Sequence, residues 1–255
     1  MSEPAGTMER IPGVPLAFRR REGKGPGVVF LGGFRSDMTG SKAEALETFC
    51  AARGTPFLRL DYSGHGASGG RFEDGCISDW AADARHLIAA LTAGPQVLIG
   101  SSMGGRIGLL LARDSAPHAF IGIAPAPDFT QALMWPAMDA AQREVILRDG
   151  VLHIPSAYGP PTPITLRLIE DGRRNLVLDT PLALACPVRL LQGMADPDVP
   201  WQHATRLAEH LESPDLRLTL IKDGDHRLSR PADLSLLCDT LAGLLAQDAG
   251  EPLAP

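Results

Sequence analysis

The stretch Gln96-Val97-Leu98-Ile99-Gly100-Ser101-Ser102-Met103-Gly104-Gly105-Arg106-Ile107 joins an apolar run of strand type to a helical one through one sharp turn. That turn, Gly100 to Gly104, has the Gly-x-Ser-x-Gly form, in which tight backbone lifts a serine hydroxyl above the edge of a sheet and crowding excludes side chains at the flanks. So short a pattern is weak alone: with 27 glycines and 13 serines in 255 residues, it arises in roughly one shuffled chain in seven. The chain supplies its own control in Gly66-Ala67-Ser68-Gly69-Gly70. Ser68 sits in a glycine-rich loop that runs on through Arg71 and Gly75, with no helix directly after it. Ser102 has the strand before it and, in Arg106 to Arg113, a helix of buried type after it, so Ser102 is the candidate nucleophile.

A serine hydroxyl needs a base to take its proton and an acid to fix the base's tautomer. Of seven histidines, His86, His203 and His210 fall in helical patterns, His118 precedes a strand and His153 lies in an irregular region. His226, in Lys222-Asp223-Gly224-Asp225-His226, follows the last strand-like run and so comes from a loop at the C-terminal edge of a parallel sheet, where such folds collect their ligands. Asp196, in Gly193-Met194-Ala195-Asp196-Pro197-Asp198, follows the preceding strand and gives the chain order Ser, Asp, His. Asp198 is its rival, although Pro200 opens a helix there and a nearby acid can serve as a helix-start charge. An oxyanion hole would use the Met103 amide and the Phe34 amide, the latter from Gly32-Gly33-Phe34 after the first strand of the alternating part. Arg35 beside that loop, Arg106 at the start of the helix and Arg227 next to the base form a candidate ring for an anionic leaving group such as a glucuronide or coenzyme A. Pairing of these arginines with Asp37, Asp114 or Asp225 is the alternative.

Around these residues short apolar runs alternate with amphipathic helices: Val28 to Leu31, Pro56 to Leu60, Gln96 to Ile99, Phe120 to Ile123, Val188 to Leu191 and Leu216 to Ile221 read as strands. Ile77, Trp80, Ala81, Ala84, Leu87, Ile88 and Leu91 mark the clearest helix, and Ala204 to Leu211 and Leu234 to Leu245 repeat its spacing. The pattern predicts an α/β chain of one domain, residues 1–255, with a mostly parallel sheet flanked by helices. One interval, about 127–182, breaks the rhythm with prolines, a short helix near Met138 to Leu147 and a polar helix near Ile164 to Arg174. Its Trp135, Ile146, Val151, Ile154 and Leu166 predict an ordered lid rather than a disordered excursion. Gln247 to Pro255 reads as a frayed tail.

Hydrophobic residues at 44% and charged residues at 21% are ordinary for a globular chain and exclude a disordered one. A net charge of -6 gives no reason to approach nucleic acid, so small molecules are the expected partners. The segment from Met1 to Lys24 carries Glu3, Glu9, Arg10, Arg19, Arg20 and Arg21 without an apolar run, which argues against a secretory signal; no later run predicts a membrane span, and a cytoplasmic protein is expected. Cys50, Cys76, Cys186 and Cys238 show no C-x-x-C pair and no histidine at ligand spacing, so neither a metal nor a cofactor is expected.

Leu31-Gly32-Gly33-Phe34, Asp61-Tyr62-Ser63-Gly64-His65-Gly66-Ala67-Ser68, Gly100 to Gly105, Gly193 to Pro200 and Asp225-His226 together resemble the α/β-hydrolase superfamily over nearly the whole chain. Gly40-Ser41-Lys42-Ala43, Leu60 to Gly64, Gly94 to Gly105 and Pro200-Trp201 are similar to the palmitoyl-protein thioesterase and acyl-glucuronide esterase subgroup. The resemblance implies an α/β-hydrolase fold, Ser102, Asp196 and His226 as nucleophile, acid and base, oxyanion donors at Phe34 and Met103, and an acyl thioester, free or on an acylated protein, or an acyl glucuronide as substrate. Gly32 stands where the family usually has a histidine, which removes one way of fixing the oxyanion loop. The organellar targeting extension of animal relatives is also missing from the pattern, which suggests a bacterial counterpart. A serine peptidase or acyltransferase on the same residues, or a binding protein that kept the fold, are the competing readings.

Overall fold

The computed structural model describes residues 5–156 and 159–246. The chain opens with a hairpin, β1 (Ala5–Ile11) and β2 (Val14–Arg21), and then alternates: β3 (Gly27–Leu31), α1 (Ser41–Arg53), β4 (Phe57–Leu60), α2 (Ile77–Leu91), β5 (Gln96–Ser101), α3 (Met103–Asp114) and β6 (Ala119–Ile123). After an inserted segment come β10 (Val188–Gly193), α7 (Trp201–His210), β12 (Leu216–Ile221) and α8 (Pro231–Ala246). The eight-stranded sheet runs β1-β2-β4-β3-β5-β6-β10-β12, antiparallel at β1, β2 and β4 and parallel from β4 to β12.

Strand alternation divides the core. Val29 and Leu31 of β3 turn to one face, where Trp80 and Leu87 of α2 and Ile107 of α3 cover them; Val28 and Phe30 turn to the other, against Leu46 of α1 and Leu237 and Leu241 of α8. The central strands β3, β5, β6 and β10 are buried at every residue, as a parallel sheet covered on both faces requires. From β3 the chain moves outward to β4 and then returns to β5 on the other side of β3. A crevice therefore opens at the C-terminal ends of β3 and β5, where the order of winding reverses.

The insertion contains a π-helical turn (Thr130–Met134), α4 (Trp135–Ala137), α5 (Ala140–Asp149), a hairpin of β7 (Val151–Ser156) and β8 (Gly159–Thr165), and α6 (Leu166–Arg174), followed by β9 (Leu182–Ala183), which pairs with β11 (Leu211–Glu212). Asp139 and Gln142 form a reciprocal capping box that starts α5, and Gly150 at φ 77° ends it. Its apolar residues Met138, Ile146, Leu152, Ile164 and Ile169 make a separate small core, with Trp135, Ile154 and Leu166 packed on it, whereas Val151 stays outside it. The β7–β8 hairpin appears where only an irregular proline-rich stretch was expected; an isolated two-stranded pair tolerates proline because each strand has one free edge. The predicted frayed tail, Gln247 to Pro255, lies outside the described residues.

Candidate active site

Ser102 caps the end of β5 with φ 54° and ψ -118°, a conformation that L-residues rarely adopt and that only a packed surround sustains. A Cβ on Gly100 would lie 2.3 Å from the Gly104 carbonyl oxygen and one on Gly104 2.1 Å from the Leu31 carbonyl oxygen, which is why both flanks are glycine. The elbow is tied to the end of β6 by Ser102 N–H donating to the Ile123 carbonyl at 2.9 Å and Ala126 N–H to the Ser102 carbonyl at 3.1 Å. Among the described non-glycine residues, positive φ occurs at Arg35, Ser102, Ala124, Asp128 and Leu228, all in loops leaving the C-terminal ends of β3, β5, β6 and β12. Backbone strain is concentrated on the edge that carries the candidate chemistry.

Three loops converge there. Ser102 Oγ lies 3.0 Å from His226 Nε2, and His226 Nδ1 lies 2.8 Å from Asp196 Oδ2. With the proton on Nδ1 donated to the carboxylate, Nε2 is left as the acceptor for the serine hydroxyl. The Asp196 side chain is fully buried and that of His226 is 21% exposed, so the chain of bonds runs from the interior to solvent. Asp196 Oδ1 accepts the amides of Asp198 at 2.8 Å and Val199 at 2.9 Å, while Oδ2 also accepts Gln192 Nε2 at 3.1 Å. Burial pushes the Asp196 carboxyl up, but the bonds from His226 and the Val199 and Asp198 amides outweigh it and hold the group below the ordinary aspartate range. The acid and base loops are joined by Ala195 N–H donating to the Gly224 carbonyl at 2.9 Å.

The rival Asp198 is exposed and reaches this network through its backbone amide. Asp196, Asp198 and His226 are also the one cluster with metal-ligand geometry among the described residues, their donor atoms lying within 4.8 Å of one another. Both Asp196 oxygens already accept hydrogen bonds, so the donor set suits a hydrogen-bond chain better than a cation. Ser68 is placed elsewhere: its Oγ accepts the Ala17 amide at 2.7 Å and donates to the Asp61 carbonyl at 2.7 Å, pinning a loop onto β2.

Gly33 lies against the elbow, where a Cβ on it would touch Ser102 Cβ at 3.4 Å. The next residue, Phe34, sets its ring edge-on to Phe72, Trp80 and Phe129 at centroid distances of 5.0, 6.0 and 5.8 Å, and packs on both the main core and the insertion's core. Ser36 adds a side-chain bond to the Gly33 carbonyl at 2.9 Å, and Tyr62 Oη donates to the Gly32 carbonyl at 3.3 Å. The loop without the customary histidine is thus fixed by an aromatic cage and two hydroxyls. Met103 begins α3 directly after Ser102, which brings its amide to the same crevice.

The expected ring of arginines is not formed. Arg106 is fully buried: its guanidinium donates to Thr130 Oγ1 at 3.0 Å and to the carbonyls of Gly172 at 2.7 Å and Asn175 at 2.8 Å, and lies 3.6 Å from Asp128. Burial lowers its pKa to about 10 against the opposing pull of Asp128 and Asp171. It anchors the base of the insertion because the 128–130 and 172–178 segments fold over the first turn of α3. Arg35 is exposed but donates to Thr162 Oγ1 of β8 at 2.9 Å, and Arg227 is exposed beside His226. Asp171, from α6, accepts the Ser78 amide at 2.8 Å and so caps α2, whose own N-cap, Cys76, makes no side-chain cap bond. Neither Gln192 nor Asp171 was found from sequence, since each acts on a partner far along the chain or across a reversed loop.

Residues 28–235 match the model of the alpha/beta hydrolase family. The chain belongs to that family. It is 39% identical over 234 residues to the mouse protein named palmitoyl-protein thioesterase ABHD10, mitochondrial, covering 90% of this chain and 78% of that one. Alpha/beta hydrolase domain-containing protein 10 from mouse superposes with a TM-score of 0.86 at 35% identity, over 96% of this chain and 99% of that one. A crystal structure from Agrobacterium vitis S4 gives 0.91 at 40% identity, over 96% and 98%. The expectation of a cytoplasmic protein is corrected by these relatives, whose mouse and human members are named mitochondrial. An N-terminal segment without an apolar run speaks against secretion and is neutral toward that compartment. Among the described residues no helix is long and apolar enough to cross a membrane.

Proposed function

We propose that this alpha/beta hydrolase is a serine hydrolase that cleaves acyl thioesters and esters through an acyl-enzyme on Ser102, with a thioester on an acylated protein or a small carrier as its preferred substrate. The observation that carries the reading is the unbroken chain Ser102 Oγ, His226, Asp196 at 3.0 and 2.8 Å. The relatives named palmitoyl-protein thioesterase support the choice of a thioester.

His226 Nε2 takes the hydroxyl proton as Ser102 Oγ bonds to the acyl carbon, and the carbonyl electron pair moves onto oxygen, where the Phe34 and Met103 amides receive it. Each donor of this kind contributes about 3 kcal/mol to the transition state. The intermediate collapses, the C–S or C–O bond breaks, and the imidazolium returns its proton to the leaving group. Water then enters, loses a proton to His226 and releases the carboxylic acid, restoring the serine. Asp196 stays ionised throughout and stabilises the imidazolium. A thiolate leaves more easily than an amine, whose expulsion requires full protonation, so thioesters are favoured over amides.

The test is fluorophosphonate labelling with the adduct located by mass spectrometry, together with a panel of acyl thioesters, aryl esters and aminoacyl amides. The adduct is expected on Ser102, the thioester is expected to turn over fastest, and Ser102→Ala is expected to lower kcat by about six orders of magnitude. An adduct on Ser68 or on a cysteine, or a preference for amides, contradicts the proposal.

A further inference from the structure

Lys42, in the Gly40-Ser41-Lys42-Ala43 motif, has no part in the chemistry above, yet its ammonium lies against the loop that carries His226. Its Nζ donates to the Arg227 carbonyl at 2.5 Å and approaches Ser229 Oγ at 3.5 Å, and Ser229 Oγ donates to the same carbonyl at 3.0 Å. We infer that Lys42 is a positioning residue for the base, holding the His226 loop in register with Ser102 through the carbonyl of the residue next to it. The inference rests on the proposed role of His226.

The placement is costly in three ways. Lys42 sits in the first turn of α1, where the helix dipole disfavours a cation; its head is largely desolvated; and the Arg227 charge is close by. Burial first and Arg227 second lower its pKa from 10.5 to about 8, against Asp225 on the same loop and Asp233 on α8, which pull the other way. A neutral apolar side chain would avoid all three costs. What the ammonium supplies is a fixed point for a strained loop, since Leu228, two residues beyond His226, has φ 44° and is itself held by Asp225 Oδ1 at 2.9 Å. The segment from β3 through the oxyanion loop into α1 therefore carries both the Phe34 amide and the strut on the base, so one stretch of chain sets the distance between the two halves of the site.

The unfolded chain binds the Lys42 proton more tightly than the fold does, so between about pH 8 and the ordinary value of 10.5 stability rises with pH, and at pH 7 the charge opposes folding. Replacing it should thus leave the melting temperature unchanged or raised. The experiment measures kcat, KM and Tm of Lys42→Met and Lys42→Arg on an acyl thioester at pH 7, beside wild type and Ser102→Ala. Lys42→Met is expected to lose about 10- to 100-fold in kcat, the scale of a sub-ångström to 1 Å misplacement of a reacting group, with KM and Tm held. Lys42→Arg is expected to recover most of that loss. Unchanged kcat in Lys42→Met, or a loss that follows a fall in Tm and is not recovered by arginine, overturns the inference. Failure of the underlying reading is distinguishable, because Ser102→Ala would then match wild type, whereas an inactive Ser102→Ala beside a fully active Lys42→Met removes Lys42 alone.

Discussion

Asp196 and Asp198 lie two positions apart and differ in what they touch. Asp196 accepts His226 Nδ1 and two amides, while Asp198 offers its amide to that network and leaves its side chain exposed. Asp196→Asn should therefore lower kcat by about four orders of magnitude with the fold retained, because an amide presents the wrong hydrogen-bond partner to the imidazole. Asp198→Asn should cost less than tenfold by the same assay, since its exposed carboxylate lies near the site but both His226 nitrogens are already bonded, Nδ1 to Asp196 and Nε2 to Ser102. A pH dependence follows from the same contacts. The Asp196 carboxyl is held below its ordinary value of 3.8, so its ionised form stabilises the fold above that pH, and the contribution is lost as pH falls through the depressed value. Thermal melts between pH 5 and pH 2, as a rough window set by ordinary aspartate titration, should show a shallower acid loss for Asp196→Asn than for wild type. Ser102 was legible because the turn, the strand and the helix agree in sequence, and Ser68 was rejected by the same test. Gln192 was not, since a glutamine in a buried strand acquires its meaning when the Asp196 loop curls back onto it.

At the scale of elements, the apolar runs and their alternation predicted the parallel strands and the helices α2, α7 and α8 to within a few residues, because short apolar runs alternate with amphipathic helical stripes along the chain. The β1–β2 hairpin was not legible. β1 alternates between exposed and half-buried at the sheet edge, and β2 ends in Arg19, Arg20 and Arg21, where a buried strand would carry apolar residues. Arg106 was misread for a related reason: a helix-start arginine is ordinarily solvated, and nothing local announces that a distant segment will fold over it. Its burial beside Asp128 makes a specific prediction. Arg106→Ala should lower unfolding free energy by about 3 to 5 kcal/mol in denaturant titration, because Asp128 is left without its cation in the interior. The ratio of kcat/KM for matched anionic and neutral esters should stay constant in the surviving folded protein; a selective loss on the anionic ester would return Arg106 to the substrate.

Over the whole molecule, the sheet delivers Ser102, Asp196 and His226 to one edge, and the insertion packs against Phe34, accepts from Arg106 and bonds the Ser78 amide through Asp171. The sheet and the identities of these three loops could be read from the chain because they depend on pattern and order; the insertion's hairpin and anchors could not, because they depend on contacts between distant segments. The proposed chemistry requires that a covalent acyl-serine forms on Ser102 in turnover. It is tested most directly by mixing the protein with a palmitoyl thioester, quenching in acid within the first turnover, and mapping the acylated peptide by mass spectrometry. Palmitoyl is expected on the peptide containing Ser102 of the wild type before steady state, and on no peptide of Ser102→Ala. Hydrolysis with no acyl-serine at any quench time, or acylation of Ser68 or a cysteine instead, would contradict it.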